Sequence, residues 1–234
     1  MSDTTRTVGV IGGLGPLATL DFFERILRRT RAVREQDHLR ILIDNNTKVP
    51  DRNAFWRGAG PSPGPALAAS AKGLQEAGAE VIVMACNTTH AWEADIRAAI
   101  SVPFISIIDV TIEAVADLRP EAVGVLAVDA CLTAGLYQDG LKKAGLRAVL
   151  LNADSQKTFM ELIYRIKSGD SGEVVRRAMA TLARKLEAQG AEVIIAGCTE
   201  IPIVLTAEDI EGELVSSTDV LVERTIVFAG GELK

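Results

Sequence analysis

Eight short apolar runs punctuate the chain: residues 7–12 (TVGVIG), 39–44 (LRILID), 80–85 (EVIVMA), 103–108 (PFISII), 122–128 (AVGVLAV), 147–152 (RAVLLN), 192–197 (EVIIAG) and 213–217 (ELVSS). Between them lie longer stretches in which apolar residues recur every three or four positions, as in LATLDFFERILRRT (17–30) and GEVVRRAMATLARKLEAQ (172–189). Short Val- and Ile-rich runs read as strands buried on both faces, and the longer spacing reads as helices with one apolar face. Their alternation predicts an α/β fold with parallel sheets covered by helices.

The pattern also repeats. Gly78-Ala79-Glu80-Val81-Ile82-Val83-Met84-Ala85-Cys86 aligns without a gap on Gly190-Ala191-Glu192-Val193-Ile194-Ile195-Ala196-Gly197-Cys198. The remaining runs pair in the same order: Val8-Gly9-Val10 with Val123-Gly124-Val125, Leu39-Arg40 with Leu146-Arg147, and Ile105–Val110 with Val215–Val220. A repeat of this kind decides architecture before any motif does. It predicts two pseudo-symmetric αβα halves with four parallel strands each. The first α/β domain is expected over 1–108 plus 218–234, carrying Cys86, and the second over 109–217, carrying Cys198. Parallel sheets bind ligands beyond the carboxyl ends of their strands, so both cysteines are expected at ligand-facing edges, with the active site in a cleft between the halves.

Composition narrows the function classes. Of 234 residues, 48% are hydrophobic and 4% aromatic, so aliphatic side chains must build the core. A net charge of −6 argues against a nucleic-acid or anionic-membrane partner, which needs concentrated Lys and Arg. The opening MSDTTRTVGVIGG is no signal peptide and no run approaches about 18 apolar residues, so a cytoplasmic protein is expected. Three widely spaced cysteines and two histidines make neither a disulfide framework nor a metal pattern. Free thiols and no metal are expected.

A free thiol ionises near pH 8.5, lower beside a helix N-terminus or a cation. Polar residues that can start a helix follow each matched cysteine: Asn87-Thr88-Thr89-His90 and Thr199-Glu200 ahead of Pro202. Cys131 reads as a small buried hydrophobe. Two equivalent proton-transfer groups on opposite sides of one carbon suit racemisation or epimerisation: a thiolate removes the proton and the opposing thiol returns one. Charge developing on the substrate needs hydrogen-bond donors, which Asn87, Thr88 and Thr199 are placed to supply. His90, one helical turn after Cys86, is expected either to contact the thiolate or to cap and pack; Glu200 is read either at the thiol or as charge at a helix start.

The motifs Ile11-Gly12-Gly13-Leu14-Gly15-Pro16-Leu17-Ala18-Thr19, Val49-Pro50-Asp51-Arg52, Cys86-Asn87-Thr88-Thr89-His90 and Gly197-Cys198-Thr199-Glu200 together resemble the aspartate racemase branch of the aspartate/glutamate racemase superfamily. The resemblance covers nearly the whole chain. It implies a two-thiol mechanism without cofactor, two pseudo-symmetric α/β domains, a small amino-acid substrate and a homodimer. It further implies that Arg52 and Lys167, in Ile166-Lys167-Ser168-Gly169, hold substrate carboxylates, a task that suits an Arg fork and a Lys point charge. In this reading Gly13 lets backbone approach the substrate. One departure stands out. Where relatives of the aspartate type look like Thr-Thr-Gly-Thr, this chain has Val128-Asp129-Ala130-Cys131. Asp129 would repel a carboxylate if it pointed inward, or favour an amine or hydroxyl.

Rival readings carry less. Gly13-x-Gly15-x-x-Ala18 with Asp44 imitates a dinucleotide fingerprint, but Pro16 removes an N–H where pyrophosphate would sit. A pyridoxal enzyme needs a Schiff-base lysine and a phosphate cup, and no motif marks one among Lys48, Lys72, Lys157 and Lys167. Within the superfamily, other amino-acid racemases including glutamate racemase, a hydantoin racemase, a maleate isomerase and a ligand-binding relative without catalysis stay open. A one-thiol decarboxylase does not need the second cysteine.

Overall fold

The computed structural model describes residues 5–234, and its strands are each formed by one of the apolar runs. In chain order the elements are β1 (Val8–Gly12), α1 (Pro16–Arg29), β2 (Ile41–Asn45), α2 (Arg52–Trp56), α3 (Gly64–Glu76), β3 (Val81–Met84), α4 (Glu93–Ala99), β4 (Phe104–Ile105) and α5 (Ile107–Asp117). They continue with β5 (Ala122–Leu126), α6 (Asp129–Thr133), α7 (Leu136–Lys143), β6 (Arg147–Val149), α8 (Ala153–Lys167), α9 (Glu173–Glu187), β7 (Val193–Ala196), β8 (Glu213–Ser216) and α10 (Ser217–Phe228). The strands form two parallel four-stranded sheets of the same order, β2-β1-β3-β4 and β6-β5-β7-β8, each flanked by helices. The central strands β1, β3, β5 and β7 are buried throughout, whereas the edge strands β2 and β6 are only partly covered.

Two compact units result. One takes the chain up to Val110 together with Thr218–Lys234, and the other is Thr111–Ser217. The chain therefore leaves the first unit within α5 and re-enters it at the start of α10.

The duplication extends to individual contacts. A Cβ at Gly9 would meet Ile82 Cδ1 at 2.6 Å and Leu74 Cβ at 3.2 Å. At Gly124 it would meet Ile194 Cδ1 at 2.5 Å and Leu186 Cβ at 3.0 Å. In both units a glycine in the central strand lets a helix leucine and a neighbouring strand isoleucine close over it. Gly78 and Gly190, at the same place before β3 and β7, both take positive φ (99° and 88°), a conformation that costs other residues a clash at Cβ. Glu80 accepts from the Thr7 N–H at 2.8 Å, and Glu192 accepts from the Glu121 N–H at 3.1 Å.

Two runs depart from expectation. Within 103–108 only Phe104 and Ile105 form a strand, because α5 begins at Ile107 and buries Ile107 and Ile108 from a helix. Within 147–152 the strand stops at Val149, and Asn152 caps α8 by accepting from the Ser155 N–H at 2.9 Å. An apolar run alone does not distinguish a buried strand from the buried start of a helix.

Candidate functional site

Each matched cysteine lies two residues beyond its strand, Cys86 after β3 and Cys198 after β7, and each is buried at 8% exposure. The helices expected after them are only single 3₁₀ turns, Thr88–Trp92 and Ile201–Ile203.

In the first unit Cys86 belongs to an apolar cluster with Leu14, Val49 and Trp92. Phe55 packs against this cluster, its ring edge-on to Trp92 with centroids 5.2 Å apart. Asp51 caps α2, and Arg52, the first residue of that helix, donates from its guanidinium to the Leu14 carbonyl at 2.8 Å. That bond fastens the glycine-containing turn to α2. The Gly13 N–H donates to Thr19 Oγ1 at 2.9 Å, and a Cβ at Gly13 would strike the Asn46 backbone at 2.4 Å. Close packing of two loops thus accounts for this glycine, and its N–H is already engaged.

His90 does not address the thiol. Its Nδ1 pairs with the Cys86 carbonyl at 2.8 Å, and its Nε2 accepts from the Ile107 N–H at 3.1 Å. Since Nε2 must accept, the proton sits on Nδ1 and the ring is neutral. Burial lowers its pKa to about 4, the largest cause of the shift. Thr89 Oγ1 donates to the same carbonyl at 3.0 Å. His90 and Thr89 therefore hold the backbone that carries Cys86. Asn87 and Thr88 are buried beside it, at 3% and 7% exposure.

The second unit surrounds its thiol differently. The Cys198 thiol donates to Glu200 Oε2 at 2.9 Å, and the Thr199 hydroxyl donates to the same oxygen at 3.1 Å. Lys167, at the end of α8, reaches Glu200 Oε1 at 3.8 Å. Burial pushes the Cys198 pKa well above its ordinary value, Glu200 adds to the rise, and Lys167 opposes it. Cys198 is accordingly held as a thiol. The Tyr137 ring lies behind the strand end, where a Cβ at Gly197 would meet its Cε2 at 2.8 Å.

Lys167 is thus paired with Glu200, and Glu200 is a partner of the sulfur, not merely charge at a helix start. Asp129 begins α6 just past the end of β5, the strand beside β7. It is exposed and accepts from Gln156 Nε2 at 2.7 Å. Cys131, in the same helix, is wholly buried. Among the described residues no group of three or more His, Cys, Asp or Glu side chains could hold a metal ion, and no helix is long and apolar enough to cross a membrane.

Fold and site together define a duplicated parallel α/β protein with a buried thiol at the same address in each unit. The chain belongs to the Asp/Glu/hydantoin racemase family, whose pattern it matches over residues 11–225. It is 25% identical over 229 residues to the broad specificity amino-acid racemase RacX of Bacillus subtilis, covering 94% of this chain and 96% of that one. Among solved structures it resembles the aspartate racemase of Picrophilus torridus, with TM-score 0.88, 28% identity and coverage of 98% and 96% of the two chains. It also resembles an aspartate racemase homologue from Pyrococcus horikoshii OT3, with TM-score 0.77, 25% identity and coverage of 96% and 99%.

Proposed function

We propose that this chain is a cofactor-independent amino-acid racemase in which Cys86 and Cys198 work on opposite faces of one α-carbon. The observation that carries the reading is the equivalence of the two thiols: each follows the third strand of its sheet by two residues, in two units with the same strand order. One thiolate takes the α-proton, and the other thiol delivers a proton to the carbanion from the far side. The reverse reaction exchanges the roles. Buried donors, among them Asn87 and Thr88, are suited to stabilise charge spreading into the substrate carboxylate.

The substrate proposed first is aspartate or another acidic amino acid, on the likeness to the Picrophilus aspartate racemase and the presence of Arg52 and Lys167. A second reading of the side-chain preference is favoured by Asp129, whose exposed carboxylate at the end of β5 would suit an amine or hydroxyl. The likeness to a broad specificity racemase supports testing both.

The test is proton NMR of the purified protein in deuterated buffer without added pyridoxal phosphate. Its substrates are a panel of L- and D-amino acids that includes aspartate, glutamate, serine and lysine. Loss of the α-proton signal, with the opposite enantiomer appearing on chiral chromatography, is the expected result. Absence of exchange with every member would rule the reading out for these substrates.

A further inference from the structure

A buried thiol that touches a carboxylate presents a chemical difficulty. Ionising it to solvent would set two negative charges about 3 Å apart in a medium of low dielectric, an arrangement that paired acids avoid by sharing a proton. Yet a racemase needs the same sulfur as base in one direction and as acid in the other.

We propose that Glu200 is a second proton carrier of the reaction: its Oε2 takes the Cys198 thiol proton whenever that sulfur must act as base, and gives it back afterwards. The inference rests on the racemase reading for its place in catalysis. The contact stands without it. At 2.9 Å the sulfur and Oε2 are within proton-transfer reach, and Glu200 is itself buried at 8% exposure. Thr199 fixes the accepting oxygen from its other side. Lys167 lies on Oε1, where it balances the single negative charge of the thiol and carboxylate pair. Tyr137 on α7 also interacts electrostatically with this sulfur, and with Cys131 on α6. Burial raises the tyrosine pKa, so it stays neutral.

The protons balance as follows. From thiol and carboxylate, the S–H bond breaks and an O–H bond forms at Oε2, leaving a thiolate beside a neutral carboxyl group. The thiolate takes the substrate α-proton, re-forming S–H, and the pair then holds two protons. Cys86 supplies the proton for the opposite face. In the other direction the Cys198 thiol protonates the carbanion while Glu200 remains neutral, so sulfur and carboxylate are never negative together. No oxidant, metal or further reactant is required.

Two enantiomers are equal in energy, so no substitution can lower kcat/KM in one direction alone. The test therefore reads the proton itself. In a Cys86→Ser/Cys131→Ser protein, the ultraviolet absorbance of the thiolate is followed against pH with and without Glu200→Gln. The Gln variant is expected to bring the Cys198 midpoint down by about one pH unit or more, because a neighbouring negative charge has gone. In the protein with all three cysteines, Glu200→Gln is expected to move the acid limb of the kcat/KM profile to higher pH. The first proton to leave must then come from sulfur, which ordinarily releases it about four pH units above a carboxyl group. Glu200→Asp keeps the charge but withdraws the oxygen by one methylene; it should keep the thiol midpoint high and lose rate. A structural role alone would move neither the midpoint nor the limb. An unmoved midpoint in a folded Gln variant overturns Glu200's control of the sulfur, and an unmoved acid limb in an active variant overturns the carrier role. Absence of exchange by the unsubstituted protein overturns the racemase reading and the carrier role with it, while the titration still decides who holds the proton of Cys198.

Discussion

The loops after β3 and β7 begin from the same nine-residue pattern and end in different chemistry. After β3 the polar side chains turn toward the backbone: Thr89 and His90 both engage the Cys86 carbonyl, and apolar residues surround the cysteine. After β7 they turn toward the sulfur, where Glu200, Thr199 and Lys167 form a charged network around Cys198. Duplication has preserved the position of the thiol while leaving its surroundings free to diverge. One site holds its cysteine through the main chain, and the other controls a proton.

The comparison breaks most completely at the sulfurs themselves. Cys86→Ala and Cys198→Ala are each expected to lower racemisation of both enantiomers by about 10²–10⁴-fold, measured by chiral chromatography. Full activity in either would end the two-thiol reading. The backbone clamp is tested by His90→Ala, which removes one partner from the Cys86 carbonyl and the Nε2 acceptor from the Ile107 N–H. A loss of about 2–4 kcal/mol in chemical denaturation is expected.

The same histidine makes stability depend on pH in a known direction. Its pKa falls from 6.5 to about 4 on folding, so between those values the unfolded chain binds a proton that the folded chain refuses. Stability at pH 7 is therefore unaffected, and about 3 kcal/mol is lost as the pH falls from 6.5 to 4. Denaturation midpoints for His90→Gln should lack this component; a curve parallel to the native protein's would refute it.

Where the halves agree, paired substitutions should have paired effects. Gly9→Ala and Gly124→Ala each push a methyl group against a leucine and an isoleucine, and each should cost about 1–3 kcal/mol by thermal denaturation. A large cost at one and none at the other would show that the units differ in packing as well as chemistry. The smallest effect is expected from Glu80→Ala and Glu192→Ala, about 1 kcal/mol apiece, as one backbone N–H in each unit loses its carboxylate acceptor.

Much of this was legible in the sequence. The apolar runs located the eight strands of the described residues, most clearly β1, β3, β5 and β7, because central strands of a parallel sheet are apolar on both faces. The gapless match around the cysteines revealed the duplication, which the glycine contacts of β1 and β5 repeat at atomic detail. What was less legible depends on how a turn is wound. His90 follows Cys86 by four residues, and the tight 3₁₀ turn directs its ring to the carbonyl instead of the sulfur. Glu200 reaches the thiol from two residues on, a spacing that does not bring side chains together on a helix, because both residues lie in the loop beyond β7. The signal available in advance was an acidic residue close behind a strand-end cysteine, with a Lys elsewhere able to balance it. Asp129 was visible as a departure, but not its bond to Gln156, which depends on how α8 lies over the end of β5.

The path of the chain has a consequence for the order in which the protein assembles. The second unit is one continuous stretch, Thr111–Ser217, whereas the first is closed by residues that arrive last: Arg6 bonds Ala229 across the backbone, and Arg25 pairs with Asp219. Contacts of such long sequence separation form slowly, since the intervening loop must be closed before they reward it. The inserted unit is therefore expected to gain its protected amides first during refolding, and β1 with α10 afterwards, an order that pulsed hydrogen exchange would reveal or reverse. On the ribosome the thiol with the proton partner would be housed while the other still waits for the end of its own domain.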